Sequence, residues 1–207
     1  MCGIALIIDD ETNLEEKTKK IISEINHRGP DYEGYYFEKN LALGSNRLSI
    51  LDLSENGKMP FIDKSGRYLI SFNGEIYNYL ELKKKFNIST KTGTDTEVLI
   101  ELYALFKEKM LDYLNGIYAF IIYDKETKKI FCARDRLGVK PLYYFLTNNK
   151  LIISSEIKGI LKVDKNLKKI NKDVLKYYLT SSSYDTIGET FFKDRNQLKP
   201  SHYMIYS

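Results

Sequence analysis

The sequence predicts an α+β fold of stacked layers, on three observations. Strand-like and helix-like runs come in groups, without the βαβ alternation that a parallel sheet requires. Two hairpin patterns stand in series in the middle of the chain, which calls for antiparallel pairing. The chain has 207 residues with 43% apolar content, enough for a substantial core that removes about 70% of the unfolded surface from water.

The first apolar run, Gly3 to Ile8, has strand length and suits a strand buried on both faces. NLEEKTKKIISEI carries apolar residues at 14, 21, 22 and 25, with Asn13 as N-cap and acidic residues in its first turn, and so predicts an amphipathic helix. That helix ends in HRGPDYEG, where Gly29 and Pro30 break regular structure. YYFEKNLALG and RLSILDLS read as short β-rich runs with a turn near Asn40. A polar loop around Gly57 to Gly66 precedes RYLISFNG, a strand expected to stop at Gly74, and EIYNYLELKKKF, a helix. TGTDTEVLIELYALFKEKML offers Thr94 or Asp95 as the cap of a periodic helix. YAFIIYDKETKKIFCARD turns at its DKET cluster, and LYYFLTNNKLIISS turns at Asn148 and Asn149. A helix from about Asn171 to Leu179 and a terminal HYMIY strand complete the pattern, and SSSYDT at 181 to 186 reads as a surface loop.

The net charge of +4 comes from Lys and Arg scattered among Asp and Glu, which fits a solvated surface and argues against nucleic-acid binding. No apolar run approaches the roughly 18 residues of a membrane span. Ile4 to Ile8 runs straight into Asp9, Asp10 and Glu11, where a signal peptide would stay apolar, so a cytoplasmic protein is expected. Two cysteines and two histidines cannot build a disulfide framework or a metal centre, and Cys132, in IFCARD, reads as a small buried apolar residue.

Cys2 is the first residue with a chemical reading. If Met1 is trimmed, the thiol and a free α-amine share one carbon, and an amine with a reference pKa of about 7.7 to 8.0 can take the thiol proton. SFNGEIYNY is the second: Asn73 and Gly74 would offer a side-chain amide and a backbone N–H, the two neutral donors an oxyanion hole needs. Arg47 interrupts an apolar run, and its planar guanidinium suits bidentate capture of a carboxylate. Glu75 and Asp95 could face an ammonium, with Asp95 equally suited to capping a helix. Arg28 and Asp31 in HRGPD, and Arg134, Asp135 and Arg136 in ARDRLGVKP, read as buried or loop-fixing ion pairs.

Taken in order, MCGIA, HRGPD, LGSNRLSILDLS, FNGEIYNY, TDTEV, LNGIYAF, ARDRLGVKPLYY and SSEIK resemble the landmarks of the glutaminase domain of asparagine synthetase, a class II glutamine amidotransferase. The resemblance runs from Met1 to ETFFKDRNQLKPSHY. It implies an N-terminal nucleophile (Ntn) hydrolase-type four-layer αββα sandwich with two antiparallel sheets, formed by residues 1–207 as one domain. By motif it makes Cys2 the nucleophile and Asn73 and Gly74 the oxyanion hole. It assigns Arg47 to the α-carboxylate of glutamine, Glu75 and Asp95 to its α-ammonium, and Ile50 to the same substrate pocket. The implied reaction is hydrolysis of glutamine to glutamate and ammonia through a γ-glutamyl thioester. The ammonia would then serve ATP-dependent conversion of aspartate to asparagine.

No Gly-rich SGG-type pyrophosphate loop occurs in the chain, so the synthetase domain is expected elsewhere, in a longer protein or a separate one. ATP and magnesium belong to that domain, and no cofactor or metal is expected in this one. The expected partners are glutamine and the synthetase domain, without nucleic acid or membrane, and a homodimer is left open. Three departures stand out. Leu6 replaces a glycine common in the family, Ser45 and Asn46 replace a His-Arg pair, and Ser201 replaces a glycine. The first two are expected to border the pocket. They suggest as alternatives a divergent member amidating another carboxylate, such as a sugar acid, or a non-catalytic docking module.

Overall fold

The computed structural model describes residues 1–10, 13–52, 54–163, 169–183 and 188–207. Among them, eleven strands form two antiparallel sheets. The first sheet holds β1 (Gly3–Ile8), β2 (Tyr32–Glu38), β3 (Leu41–Arg47), β8 (Tyr143–Leu146), β9 (Leu151–Ser154) and β10 (Arg195–Gln197), in the order β10-β8-β9-β1-β3-β2. The second runs β11-β7-β6-β5-β4, from β4 (Phe61–Ile62), β5 (Tyr68–Ile76), β6 (Gly116–Asp124), β7 (Ile130–Arg134) and β11 (Tyr203–Tyr206).

Helices α1 (Leu14–Glu24) and α4 (Ile157–Val163) pack on the outer face of the first sheet. On the outer face of the second lies α3 (Asp95–Phe106), with α2 (Tyr79–Lys85) against it. This is the helix–sheet–sheet–helix order that the family resemblance implies. The last helix is α5 (Lys172–Ser181), capped by the Asn171 side chain.

Alternation along the strands produces the layers. In β1, Ala5 and Ile7 face α1 and α4 and join Ile21, Ile22 and Ile160, whereas Ile4 and Leu6 face the second sheet and join Leu43, Ala119 and Ile121. β6 does the same, with Ala119 and Ile121 between the sheets and Phe120 and Ile122 toward α3. Both faces are covered, so these strands are continuously apolar; each fully buried Ile contributes about 2 kcal/mol. Cys132 lies in the layer between the sheets, where burial pushes its thiol well above the ordinary range.

Several expectations change. Asn13 precedes α1 in a left-handed conformation with φ of 73° and makes no side-chain cap bond. RLSILDLS is not a strand: β3 ends at Arg47, and the described residues of 48–54 are irregular because they curl around that arginine. β5 does not stop at Gly74 but stays paired with β6 through Ile76. Thr94, not Asp95, caps α3, its hydroxyl accepting from the Glu97 N–H. That helix ends early because Lys107 folds its ammonium back onto the Tyr103 and Ala104 carbonyls and continues into a 3-10 turn. α4 and the short strands β4 and β10 were not foreseen. Of SSSYDT, Ser181 belongs to α5, and 184–186 lie outside the described residues. No helix among the described residues is long and apolar enough to cross a membrane.

Candidate active site

The start of β1 lies beside the end of β3, with Gly3 opposite Asn46. The C-terminal part of β5 and the first turn of α3 reach the same end of the sandwich, where the Ile76 N–H donates to Asp95 Oδ2 at 2.8 Å. One cavity there is lined by Cys2, Arg47, Ile50, Asn73, Gly74, Glu75 and Asp95. All seven sequence-predicted site residues are thus brought together from four parts of the chain.

Cys2 is half-buried, with Sγ 3.9 Å from the Leu48 carbonyl oxygen. Burial raises its thiol pKa; the Leu48 contact, the N-terminal ammonium and Arg47 oppose this, and Asp95 reinforces it. The backbone of Cys2 is anchored separately. Arg28 Nε donates to the Cys2 carbonyl at 3.0 Å, while Arg28 Nη1 pairs with Glu156 at 2.9 Å, and His27 meets the same carboxylate. Of the two charged residues of HRGPD, Arg28 is ion-paired as expected, with Glu156 of the SSEIK segment, and the pair holds the residue that bears the thiol. Asp31 fixes the loop after β3 by accepting from the Ser49 N–H.

Asn73 is 1% exposed, and among the described residues neither its amide nitrogen nor its amide oxygen has a hydrogen-bond partner. Buried amides are nearly always paired, so an unpaired one at a cavity wall is held ready for something that enters. Gly74 is required by packing: a Cβ would stand 2.3 Å from the Ile117 carbonyl oxygen on the neighbouring strand. The site needs a bare backbone here because β6 leaves no room for a side chain.

Arg47 departs from the expected free fork. It is 6% exposed; Nη1 donates to the Ser54 carbonyl at 3.0 Å, and Nη2 donates to the carbonyls of Leu51 and Asp52. The outer nitrogens thus fold the 51–54 loop around themselves, and bidentate capture of a carboxylate by this pair would have to displace those carbonyls. Nε has no acceptor among the described residues and remains for a single charge-assisted bond. Ile50, on the same loop, is 59% exposed and forms part of the rim.

Asp95 is buried beside Glu75. Burial, with a smaller push from Glu75, raises its carboxyl to about 6 against the pull of its hydrogen bonds from the Ile76 and Thr96 N–H groups. Two carboxylates at a cavity wall make a recess suited to a cation. Leu6, Ser45 and Asn46 lie elsewhere, correcting the expectation that they border the pocket. Leu6 fills the layer between the sheets, the Ser45 hydroxyl bonds Ser71 at 2.7 Å, and Asn46 bonds Asn26 at 3.3 Å. Sequence reading missed Lys140, Thr94 and Thr96, which also line the cavity, and the Glu156 anchor.

A family model described as a glutamine amidotransferase domain matches residues 1–207. A protein of Methanocaldococcus jannaschii, provisionally named asparagine synthetase (glutamine-hydrolysing) 2, is 44% identical over 95% of this chain, which spans 43% of that relative. Asparagine synthetase (glutamine-hydrolysing) 1 of Bacillus subtilis is 37% identical over 87% of this chain and 29% of its own length. The chain therefore spans less than half of these relatives. Among solved structures, a glutamine phosphoribosylpyrophosphate amidotransferase from B. subtilis superposes with a TM-score of 0.68 at 20% identity, over 78% of this chain and 43% of that one. That likeness bears on the fold.

Proposed function

This chain belongs to the glutamine amidotransferase domain family, and from that premise we propose that it hydrolyses glutamine to glutamate and ammonia with Cys2 as nucleophile. The observation that carries the reading is one cavity holding the Cys2 thiol, the unpaired Asn73 amide and the Glu75–Asp95 recess.

With Met1 removed, the Cys2 α-amine takes the thiol proton, and the thiolate attacks the side-chain carbonyl carbon of glutamine. Negative charge moves to the carbonyl oxygen, where the Asn73 amide and the Gly74 N–H meet it. The protonated amine returns its proton to the departing nitrogen, ammonia leaves, and a γ-glutamyl thioester remains. Water, deprotonated by the same amine, releases glutamate and restores the thiol. Arg47 meets the α-carboxylate through its charge and the free Nε–H, while Glu75 and Asp95 meet the α-ammonium. Ammonia passes to a synthetase domain, where ATP and magnesium support amidation of aspartate to asparagine. The synthetase names of the relatives support this acceptor. The residues that suggested a divergent acceptor, Leu6, Ser45 and Asn46, lie outside the cavity lining. Measuring glutamate and ammonia release from purified protein whose mass confirms loss of Met1 tests the reading; no release in the presence of the synthetase domain would refute it.

Two further outcomes follow from the clamp. Arg47→Lys keeps the charge but loses the planar grip on the 51–54 carbonyls, so the KM for glutamine should rise about tenfold with kcat changed only a few-fold. A fall in kcat at unchanged KM would assign Arg47 a different role. Asp95 must be ionised to hold an ammonium, and its carboxyl titrates near 6. Glutamine affinity, read by calorimetry in a Cys2→Ala background, should therefore weaken as pH falls through about 6, and binding near that pH should release protons. The stability effect has the opposite sense. A carboxyl raised above its unfolded value favours the neutral form, so this group's contribution declines as pH rises from about 4 to 6. Affinity independent of pH between 5 and 8 would remove Asp95 from the clamp.

A further inference from the structure

The ARDRLGVKP segment was read as loop-fixing ion pairs. In the structure it is a built support for one cation. The buried Asp135 carboxylate accepts from the N–H groups of Leu137, Val139 and Lys140 at 3.1, 2.9 and 3.0 Å, and from Tyr118 at 3.3 Å. Arg134 donates to the carbonyls of Lys140, Leu198 and Gly138. Gly138 makes the turn at φ of 66°, where a side chain would also meet Pro200 at 2.7 Å. Arg134 and Asp135 thus act through backbone groups of the loop, and that loop delivers Lys140 into the cavity wall beside Met1 and Cys2.

Lys140 is 9% exposed, and among the described residues its ammonium has no ion-pair or hydrogen-bond partner. An unpaired ammonium at the wall of the cavity can act electrostatically on groups that share that cavity. The other charged groups around the N-terminal amine are accounted for. Arg28 is paired with Glu156, Asp31 is bonded by the Ser49 N–H, and Arg47 and Asp95 face the thiol. Glu75 lines the same cavity.

Building on the reading of Cys2 as nucleophile, we propose that Lys140 is a positioning residue whose ammonium acts on the Cys2 α-amine, keeping it in the free-base form that accepts the thiol proton. With Met1 in place, burial lowers the pKa of its amine against the pull of Cys2, and Lys140 and Arg28 lower it further against Asp31, so the Lys140 charge reaches the terminus from which Met1 is trimmed. The proton balance is closed: the amine lone pair takes the S–H proton, leaving an ammonium and a thiolate. A nearby cation disfavours the ammonium but favours the thiolate, so transfer is not penalised overall. It also makes the ammonium a stronger acid toward the departing nitrogen.

The test uses two readouts, kcat/KM for glutamine and the rate of Cys2 alkylation by iodoacetamide, each against pH. In Lys140→Met both acid limbs should move up by about one pH unit, so that activity near pH 7 falls roughly tenfold and recovers near pH 9. Lys140→Arg should keep the wild-type limbs. Unshifted limbs in Lys140→Met, a loss equal at every pH, or shifted limbs in Lys140→Arg would each overturn the proposal. Alkylation needs no turnover. If the wild type hydrolyses no glutamine, the reading of the reaction fails, while the alkylation limb still decides for or against Lys140.

Discussion

Cys2→Ala is expected to abolish glutamine hydrolysis, with a fall of at least about 10⁴-fold, because no other group in the cavity can form the thioester. The lining hydroxyls, of Thr94 and Thr96, carry no sulfur, and that of Thr94 is engaged in capping α3. The fold should survive. Among the described residues Sγ makes one long hydrogen bond, to the Leu48 carbonyl, and rests at the margin of the apolar core on the α3 side, whereas the position of the residue depends on the Arg28 bond to its backbone oxygen and on the β1 ladder that follows it. Losing one half-buried sulfur should cost about 1 kcal/mol or less, a shift of roughly 3 °C in Tm at this chain length. Glutamate release and thermal melting of the same preparation separate the two effects. Retained hydrolysis would remove Cys2 from the chemistry, and a collapsed melting transition would make it structural.

The second large effect belongs to Asn73→Ala, for which a rate loss of about 10² to 10³ is expected at nearly unchanged KM, as for removal of one oxyanion donor. Stability should move the other way. Asn73 is buried with both amide atoms unpaired, so the folded protein already bears the cost of desolvating them. Replacing the amide by a methyl relieves that cost, and the variant should melt at or above the wild-type temperature. A side chain kept for packing would give the reverse, lower stability with activity intact. Gly74→Ala is a poorer probe of the same hole, since its methyl would collide with the Ile117 carbonyl and disturb the β5–β6 pairing.

Much of the layer order could be read from sequence because doubly buried strands such as Gly3–Ile8 are apolar at every position, and the two hairpins announce their turns. The residues of the cavity were also legible. Cys2, Asn73 and Asp95 are types with few alternatives for their chemistry, set in short motifs that resembled one family. What escaped prediction depends on contacts between distant segments. RLSILDLS has strand-like alternation, yet its carbonyls are drawn inward by the Arg47 guanidinium, a local attraction that periodicity does not register. Leu6 stands four residues from Cys2, but alternation along β1 turns it into the layer between the sheets. Lys140 looked like one of many surface lysines, and only the Asp135 and Arg134 bonds reveal that its loop is turned toward the cavity.

The place of β1 in its sheet has a consequence for timing. β1 lies between β3 and β9, pairing with residues 41–46 on one side and 151–154 on the other. β1 can therefore be fully seated only after residues 151–154 have been made. Until then β1 lacks one of its two neighbours, and nothing on that side fixes Cys2 against Asn73, Asp95 and Lys140. Pairings this distant in sequence slow folding. On the proposed function, they also mean that the Cys2 thiol meets the groups around it only when the sandwich closes.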